Sequence, residues 1–150
     1  MISIYVDGAV SGTQFAGAAA VARTANGYFI GWLSQQLPAM TNNEAEYQAA
    51  LLGLTLARRL GASTVEIVSD SEVVVRQMQG QSRVLSQRLR RLHQETCAKV
   101  GYFRQVSFRH VSREENHLAD ALATEALLGR PVGMRPQQTT VQLRKRLWGK

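Results

Sequence analysis

Apolar residues alternate with polar ones at the start of this chain and then switch to helical spacing, a change of period that confines it to mixed α/β architectures. Ile2, Ile4 and Val6 alternate with Ser3, Tyr5 and Asp7, a period of two that predicts a strand ending at Asp7-Gly8. A polar turn, VSGTQ, follows. Residues 16–23 are small and apolar, residues 28–33 are aromatic and branched, and Ala25-Asn26-Gly27 between them is a hairpin signal. The first third is thus predicted to be a three-stranded antiparallel meander. Over residues 43–60 the pattern changes: Ala45, Ala49, Leu52 and Leu56 recur at helical spacing, and Arg58-Arg59-Leu60-Gly61 closes the run with basic residues and a glycine cap.

The alternation of types continues. TVEIVS at 64–69 predicts a short strand, and residues 71–78 a short helix halted by Gly80. Residues 84–100 predict a second long helix with Val84, Leu85, Leu89, Leu92 and Cys97 or Val100 as its apolar face. Val106 and Phe108 mark a fifth strand, and residues 115–128, rich in alanine and leucine, a last helix. The order βββαβααβα predicts an α/β fold, a mixed five-stranded sheet flanked by helices, with antiparallel pairing first and right-handed β–α–β crossovers later.

A length of 150 residues suits one domain. We assign residues 1–129 to it and read 130–150 as a basic tail, with residues 141–148 as a patch that could dock. Hydrophobic residues at 45% and charged ones at 19% exclude wholesale disorder. One cysteine, Cys97, leaves no internal disulfide, and the start lacks a secretory pattern, so a cytoplasmic protein is expected. Apolar runs such as 16–22 are too short for a membrane span, which takes about 20 residues. The net charge of +7 is uneven: residues 130–150 hold six basic residues and no acidic one, leaving +1 for the rest. Residues 81–113 hold eight Arg or Lys against Glu95 alone. Such stretches attract phosphate backbones, although solvated faces are the commoner explanation of any one run.

Acidic residues number only eleven, so their placement can be weighed singly. Asp7 has an ordinary reading as a turn aspartate, Asp70 as a helix cap, Glu46 as a carboxylate suiting a helix dipole, and Asp120 as an exposed helix residue. Their combination says more. If the first and fourth strands are parallel neighbours, Asp7 and Asp70 emerge side by side at their carboxyl ends, where ligand sites of open α/β sheets lie. Clustered carboxylates stay ionised together only beside cations, and hard oxygen ligands suit Mg²⁺ or Mn²⁺. One Cys and three scattered His give no zinc-like ligand spacing.

Four segments, YVDG at 5–8, TNNEAEYQAALLGL at 41–54, VSDSEVVVRQ at 68–77 and REENHLADALA at 113–123, together resemble the type 1 ribonuclease H family. The resemblance spans residues 1 to about 128 and implies the ribonuclease H-like fold with an Asp-Glu-Asp-Asp metal site. It implies an endonuclease that cuts the RNA strand of RNA–DNA hybrids by two-metal-ion catalysis with Mg²⁺ or Mn²⁺, leaving 5′-phosphate and 3′-hydroxyl ends. Asp7 resembles the ligand shared by both ions, Glu46 and Asp70 the ligands of one, and Asp120 the remaining ligand of the other. Gly8, Asn42 and Asn43 resemble residues that read the RNA 2′-hydroxyl, with Gln14 a looser match. Thr41 resembles part of a phosphate pocket for the DNA strand, and its ordinary reading is the N-cap of the long helix with Glu44 completing a capping box.

Two departures from the family pattern stand out. The loop before the last carboxylate is short, and Arg113 takes the place where well-known bacterial members offer a histidine that aids turnover; His110 is the alternative, with an ordinary reading as a strand-end residue, and His117 reads as facing solvent. Between Gly80 and Val84 there is no room for the basic, tryptophan-rich handle of some relatives, so binding must depend on the RVLSQRLRRLH segment, the tail or a partner. A monomer is expected. Two other readings stay open: a hybrid-binding module without chemistry, and a nuclease that also cuts double-stranded RNA.

Overall fold

In a computed structural model, which describes residues 1–12 and 14–129, the chain forms β1 (Ile2–Val10), β2 (Phe15–Arg23), β3 (Phe29–Pro38), α1 (Asn42–Arg59), β4 (Thr64–Ser69), α2 (Glu72–Met78), α3 (Gln87–Val100), β5 (Gln105–His110), a 3-10 turn (Arg113–Asn116) and α4 (His117–Leu127). The strands lie in the order β3-β2-β1-β4-β5. β1, β2 and β3 pair antiparallel, while β4 runs parallel to both β1 and β5. The predicted mixed sheet and element order are therefore present. The tail and its 141–148 patch lie outside the described residues.

Alternation along β2 explains how one strand serves two layers. Ala18, Ala20 and Ala22 join Ile4, Val6, Ile67 and the α1 residues Ala49, Leu52 and Leu56 in one core. Ala19 and Val21 face the opposite side, with Trp32, Ala119, Leu122 and Ala123 beneath α4. Because side chains this small stand out little from the sheet, helices approach its backbone closely. A Cβ built on Gly17 would lie 2.6 Å from the Leu127 nitrogen of α4. α3 packs through Leu89 and Leu92 on Tyr47 and Leu51 of α1 and Val74 of α2.

Four boundaries differ from expectation, each for a local reason. β1 does not stop at Asp7-Gly8: Gly8, Ala9 and Val10 go on pairing with Ala18, Gly17 and Ala16 of β2, and the reversal comes at Gly12, whose φ is +82°. β3 runs on to Pro38, which pairs with Phe15 at the sheet edge, where a missing N–H is tolerated. α3 begins at Gln87 because Ser86 caps it, accepting from the Leu89 N–H at 3.4 Å. Leu85 is thus 73% exposed ahead of the helix, and Cys97 is exposed too; the buried face is Leu89, Leu92 and Thr96. The last helix starts at His117 behind the 3-10 turn, not at residue 115.

Candidate active site

The parallel ladder between β1 and β4 ends at the pair Val6–Ser69. Asp7 and Asp70 are the next residues on each strand, and they emerge side by side as the sequence predicts. The cap reading of Asp70 fails, because Ser71 is the N-cap of α2 and accepts from the Val74 N–H at 3.3 Å. Asp70 is held instead by the bend around it, in which the Ser71 N–H donates to Ser69 Oγ at 3.0 Å. The turn reading of Asp7 fails as well, since it sits inside β1 and is only 4% exposed.

Glu46 comes from α1, whose start is fixed by a full capping box. The Glu44 N–H donates to Thr41 Oγ1 at 3.2 Å, and the Thr41 N–H donates to Glu44 Oε1 at 2.9 Å. Glu46 lies just past the helix's first four residues, and its Oε1 accepts the Gly8 N–H at 2.9 Å. That bond needs the helix close to the strand. A Cβ on Gly8 would stand 2.5 Å from the carbonyl carbon of Ala45 and 2.8 Å from the Glu46 nitrogen. Gly8 is thus explained by close approach of two backbones, not by a turn.

Carboxylate oxygens of Asp7, Glu46 and Asp70 all lie within 4.8 Å of one another. Asp120, half-buried in the first turn of α4, lines the same cleft as Asp7 and acts on it electrostatically. Burial first, and the Glu46, Asp70 and Asp120 carboxylates next, push Asp7 up to about 9. Glu46 is pushed up to about 7 by burial and by Asp70, while the Gly8 N–H and the Arg113 guanidinium pull the other way. Four acids gathered so closely, with Asp7 and Glu46 reluctant to ionise, form a site that positive charge would stabilise. Oxygen donors of this kind suit a hard divalent cation.

The acids open into a cleft of about 460 Å³ whose walls include Gly8, Asn42, Asn43, Ser71, Arg113 and Thr124. Of the residues singled out from sequence, Asp7, Gly8, Asn42, Asn43, Glu46, Arg113 and Asp120 border it, and Asp70 joins through its contact with Asp7 and Glu46. Thr41 does not border the cleft and is engaged in its cap, and Gln14 is exposed in the β1–β2 bend. His110 and His117 are also off the cleft; His110 ends β5 opposite Ser69. Sequence reasoning misses Ser71 and Thr124. Thr124 follows Asp120 by four residues, so helical spacing from that acid is the available signal.

A family profile described as "Reverse transcriptase-like" matches residues 5–126. The N-terminal RNase H domain of Rv2228c from Mycobacterium tuberculosis, solved as a fusion with maltose-binding protein, superposes with a TM-score of 0.80 at 34% identity, over 84% of this chain and 92% of that one. The chain belongs to the type 1 ribonuclease H family. Two further members agree. RNase H1 of Halobacterium salinarum gives a TM-score of 0.81 at 32% identity, over 84% of this chain and 96% of that one. LC11-RNase H1, solved in complex with an RNA/DNA hybrid, gives 0.79 at 31%, over 83% and 95%. The match to the full-length bifunctional protein Rv2228c, 37% identical over 93 residues, takes in 62% of this chain but only 26% of that larger protein. Among the described residues, no helix of this family member is long and apolar enough to cross a membrane.

Proposed function

We propose that this chain is an endonuclease that hydrolyses the RNA strand of RNA–DNA hybrids, with Asp7, Glu46, Asp70 and Asp120 holding two divalent cations, Mg²⁺ or Mn²⁺. The observation that carries the reading is the carboxylate triad within 4.8 Å at the end of the central parallel strand pair, with a fourth acid, Asp120, lining the same cleft. When bound, the ions would supply an activated water and neutralise charge at the scissile phosphate, giving 5′-phosphate and 3′-hydroxyl ends. Asp7 would serve both ions, Glu46 and Asp70 would help hold one of them, and Asp120 would help hold the other.

The cleft walls suit the substrate. Gly8 brings backbone to the surface beside Asn42 and Asn43, and short polar groups with close backbone approach can read a 2′-hydroxyl. Thr41 and Gln14 do not line the cleft, and a part for them in binding would call for duplex that extends beyond it. Arg113, exposed on the cleft rim and close enough to stabilise the Glu46 carboxylate, is assigned to departure of the phosphate product. A single chain supplies all four carboxylates, so a monomer suffices. Cys97, exposed and outside any disulfide, suits the reducing cytoplasm.

The test presents one labelled sequence as RNA–DNA hybrid, double-stranded RNA, duplex DNA and single-stranded RNA, with Mg²⁺, Mn²⁺ or EDTA, to wild type and Asp70→Asn. Metal-dependent cutting of the hybrid's RNA, abolished in the variant while hybrid binding persists, is the expected result. Cutting of double-stranded RNA as well would widen the specificity. Absence of any Asp70-dependent cleavage would overturn the reading in favour of a binding module.

A further inference from the structure

Asn116 lies in the REEN segment beside Arg113 and has no part in the chemistry above. It stands at the N-cap of α4, where an asparagine side chain ordinarily accepts an N–H of the first turn, yet it makes no such bond. Instead it is 1% exposed, and its Nδ2 donates to the Val6 carbonyl at 2.8 Å, across 110 residues of sequence. Val6 is the last β1 residue paired with β4 and immediately precedes Asp7. On its own side, Asn116 joins the 3-10 turn that carries Arg113 to the helix that carries Asp120. One buried side-chain bond therefore ties the strand of Asp7 to the junction that presents Arg113 and Asp120 to the cleft.

The same side chain forgoes two favourable interactions. Besides leaving α4 without a side-chain cap, it buries an Oδ1 to which no protein group among the described residues donates. Asn116 borders a cavity of about 250 Å³ together with Tyr5, Arg23, Glu115 and His117, and the Nε of Arg23 is likewise buried without a partner. The amide's orientation is nonetheless determined, because turning Oδ1 toward the Val6 carbonyl would oppose two oxygens. Unsatisfied buried groups are rare in folded proteins and gather where function sets the geometry.

We propose that Asn116 is a positioning residue: its bond to Val6 sets the placement of Asp120 and Arg113 relative to Asp7, and thereby the metal affinity and turnover of the site. This rests on the function proposed above. The experiment compares Asn116→Ala with Val65→Ala, a core truncation at the far end of the β1–β4 ladder where Val65 pairs with Ile2. Both are assayed well below their melting temperatures. Mn²⁺ binding is followed by electron paramagnetic resonance without substrate, and kcat and KM are measured on an RNA–DNA hybrid.

Misplacement by 1 Å can cost about 10²-fold in rate, so Asn116→Ala is expected to lose about that much in kcat with KM changed less than about twofold. Its Mn²⁺ affinity should fall about tenfold, the linked loss when one ligand is held out of register. Val65→Ala should lose thermal stability and keep both properties. If Asn116→Ala does not fold, Asn116→Ser, whose shorter side chain falls short of Val6, carries the same expectation. Wild-type Mn²⁺ affinity and kcat in a folded Asn116 variant would overturn the inference. Wild type that neither binds Mn²⁺ nor cleaves would overturn the proposed function first, and this inference with it.

Discussion

Replacing Asp7 with asparagine is expected to stabilise the metal-free protein while abolishing cleavage. Burial and three neighbouring carboxylates raise Asp7 from an ordinary 3.8 to about 9 in the folded chain. At pH 7 the unfolded chain ionises this group freely, whereas the folded chain must keep it protonated or bear the charge against its neighbours. About three pH units separate 3.8 from neutrality, at about 1.4 kcal/mol each, so folding with Asp7 costs on the order of 4 kcal/mol at pH 7 without cations. The folded state binds the extra proton, so stability is full below the unfolded value and falls as pH rises toward 9. Asparagine keeps the shape and removes the charge. A chain of this size gains about 2–4 °C per kcal/mol, so the variant should melt about 10 °C higher at pH 7 in EDTA. The assay is thermal unfolding of both proteins in EDTA from pH 5 to pH 8. The gap should widen with pH and shrink when saturating Mg²⁺ or Mn²⁺ binds the native wild type. A variant no more stable than wild type at pH 7, or a gap that does not grow with pH, would refute the electrostatic argument.

Other changes probe separate parts of the site. Gly8→Ala sets a methyl group 2.5 Å from the Ala45 backbone, so α1 must shift; unfolding should show a loss of about 1–3 kcal/mol, and kcat should fall more than hybrid affinity. Arg113→Ala should leave single-turnover cleavage nearly intact and slow the steady state, a split that rapid-quench kinetics would reveal. Deleting residues 131–150 removes five basic residues and no acidic one. Plots of log affinity against log salt should flatten by about 0.9 for each phosphate that the shortened chain no longer neutralises, with single-turnover cleavage of bound hybrid nearly unchanged.

Residues whose role depends on type and order are legible in the sequence; those whose role depends on packing are not. Alternation around Ile4 and Val6, the capping pair Thr41–Glu44, and acids at the ends of two apolar runs foretell the parallel β1–β4 pair and the meeting of Asp7 with Asp70. Asp-Gly reads as the end of β1 because that dipeptide favours turns. Only the three-dimensional approach of α1 shows the glycine making room for Ala45, and the strand continuing past it. Leu85 and Cys97 fit an apolar helical stripe by spacing, yet both are exposed, since Ser86 starts the helix late and its face is turned by contact with α1. Gln14 and Thr41 rest on motif alone, which does not carry the distance from a loop or a cap to the cleft. Asn116 gives no local signal, because its partner lies 110 residues away and its expected cap bond is not made.

The dispersal of the four acids over β1, α1, the end of β4 and α4 has a consequence for the chain's birth. During synthesis the strands, α1 and β4 emerge first, and three carboxylates are available while Asp120 is still inside the ribosome. Until α4 closes over Ala19 and Val21, the half-built domain has an open alanine-lined face and an incomplete set of carboxylates. Any fragment cut before residue 120 therefore lacks one of the four carboxylates. The cluster is complete only once the last helix is in place.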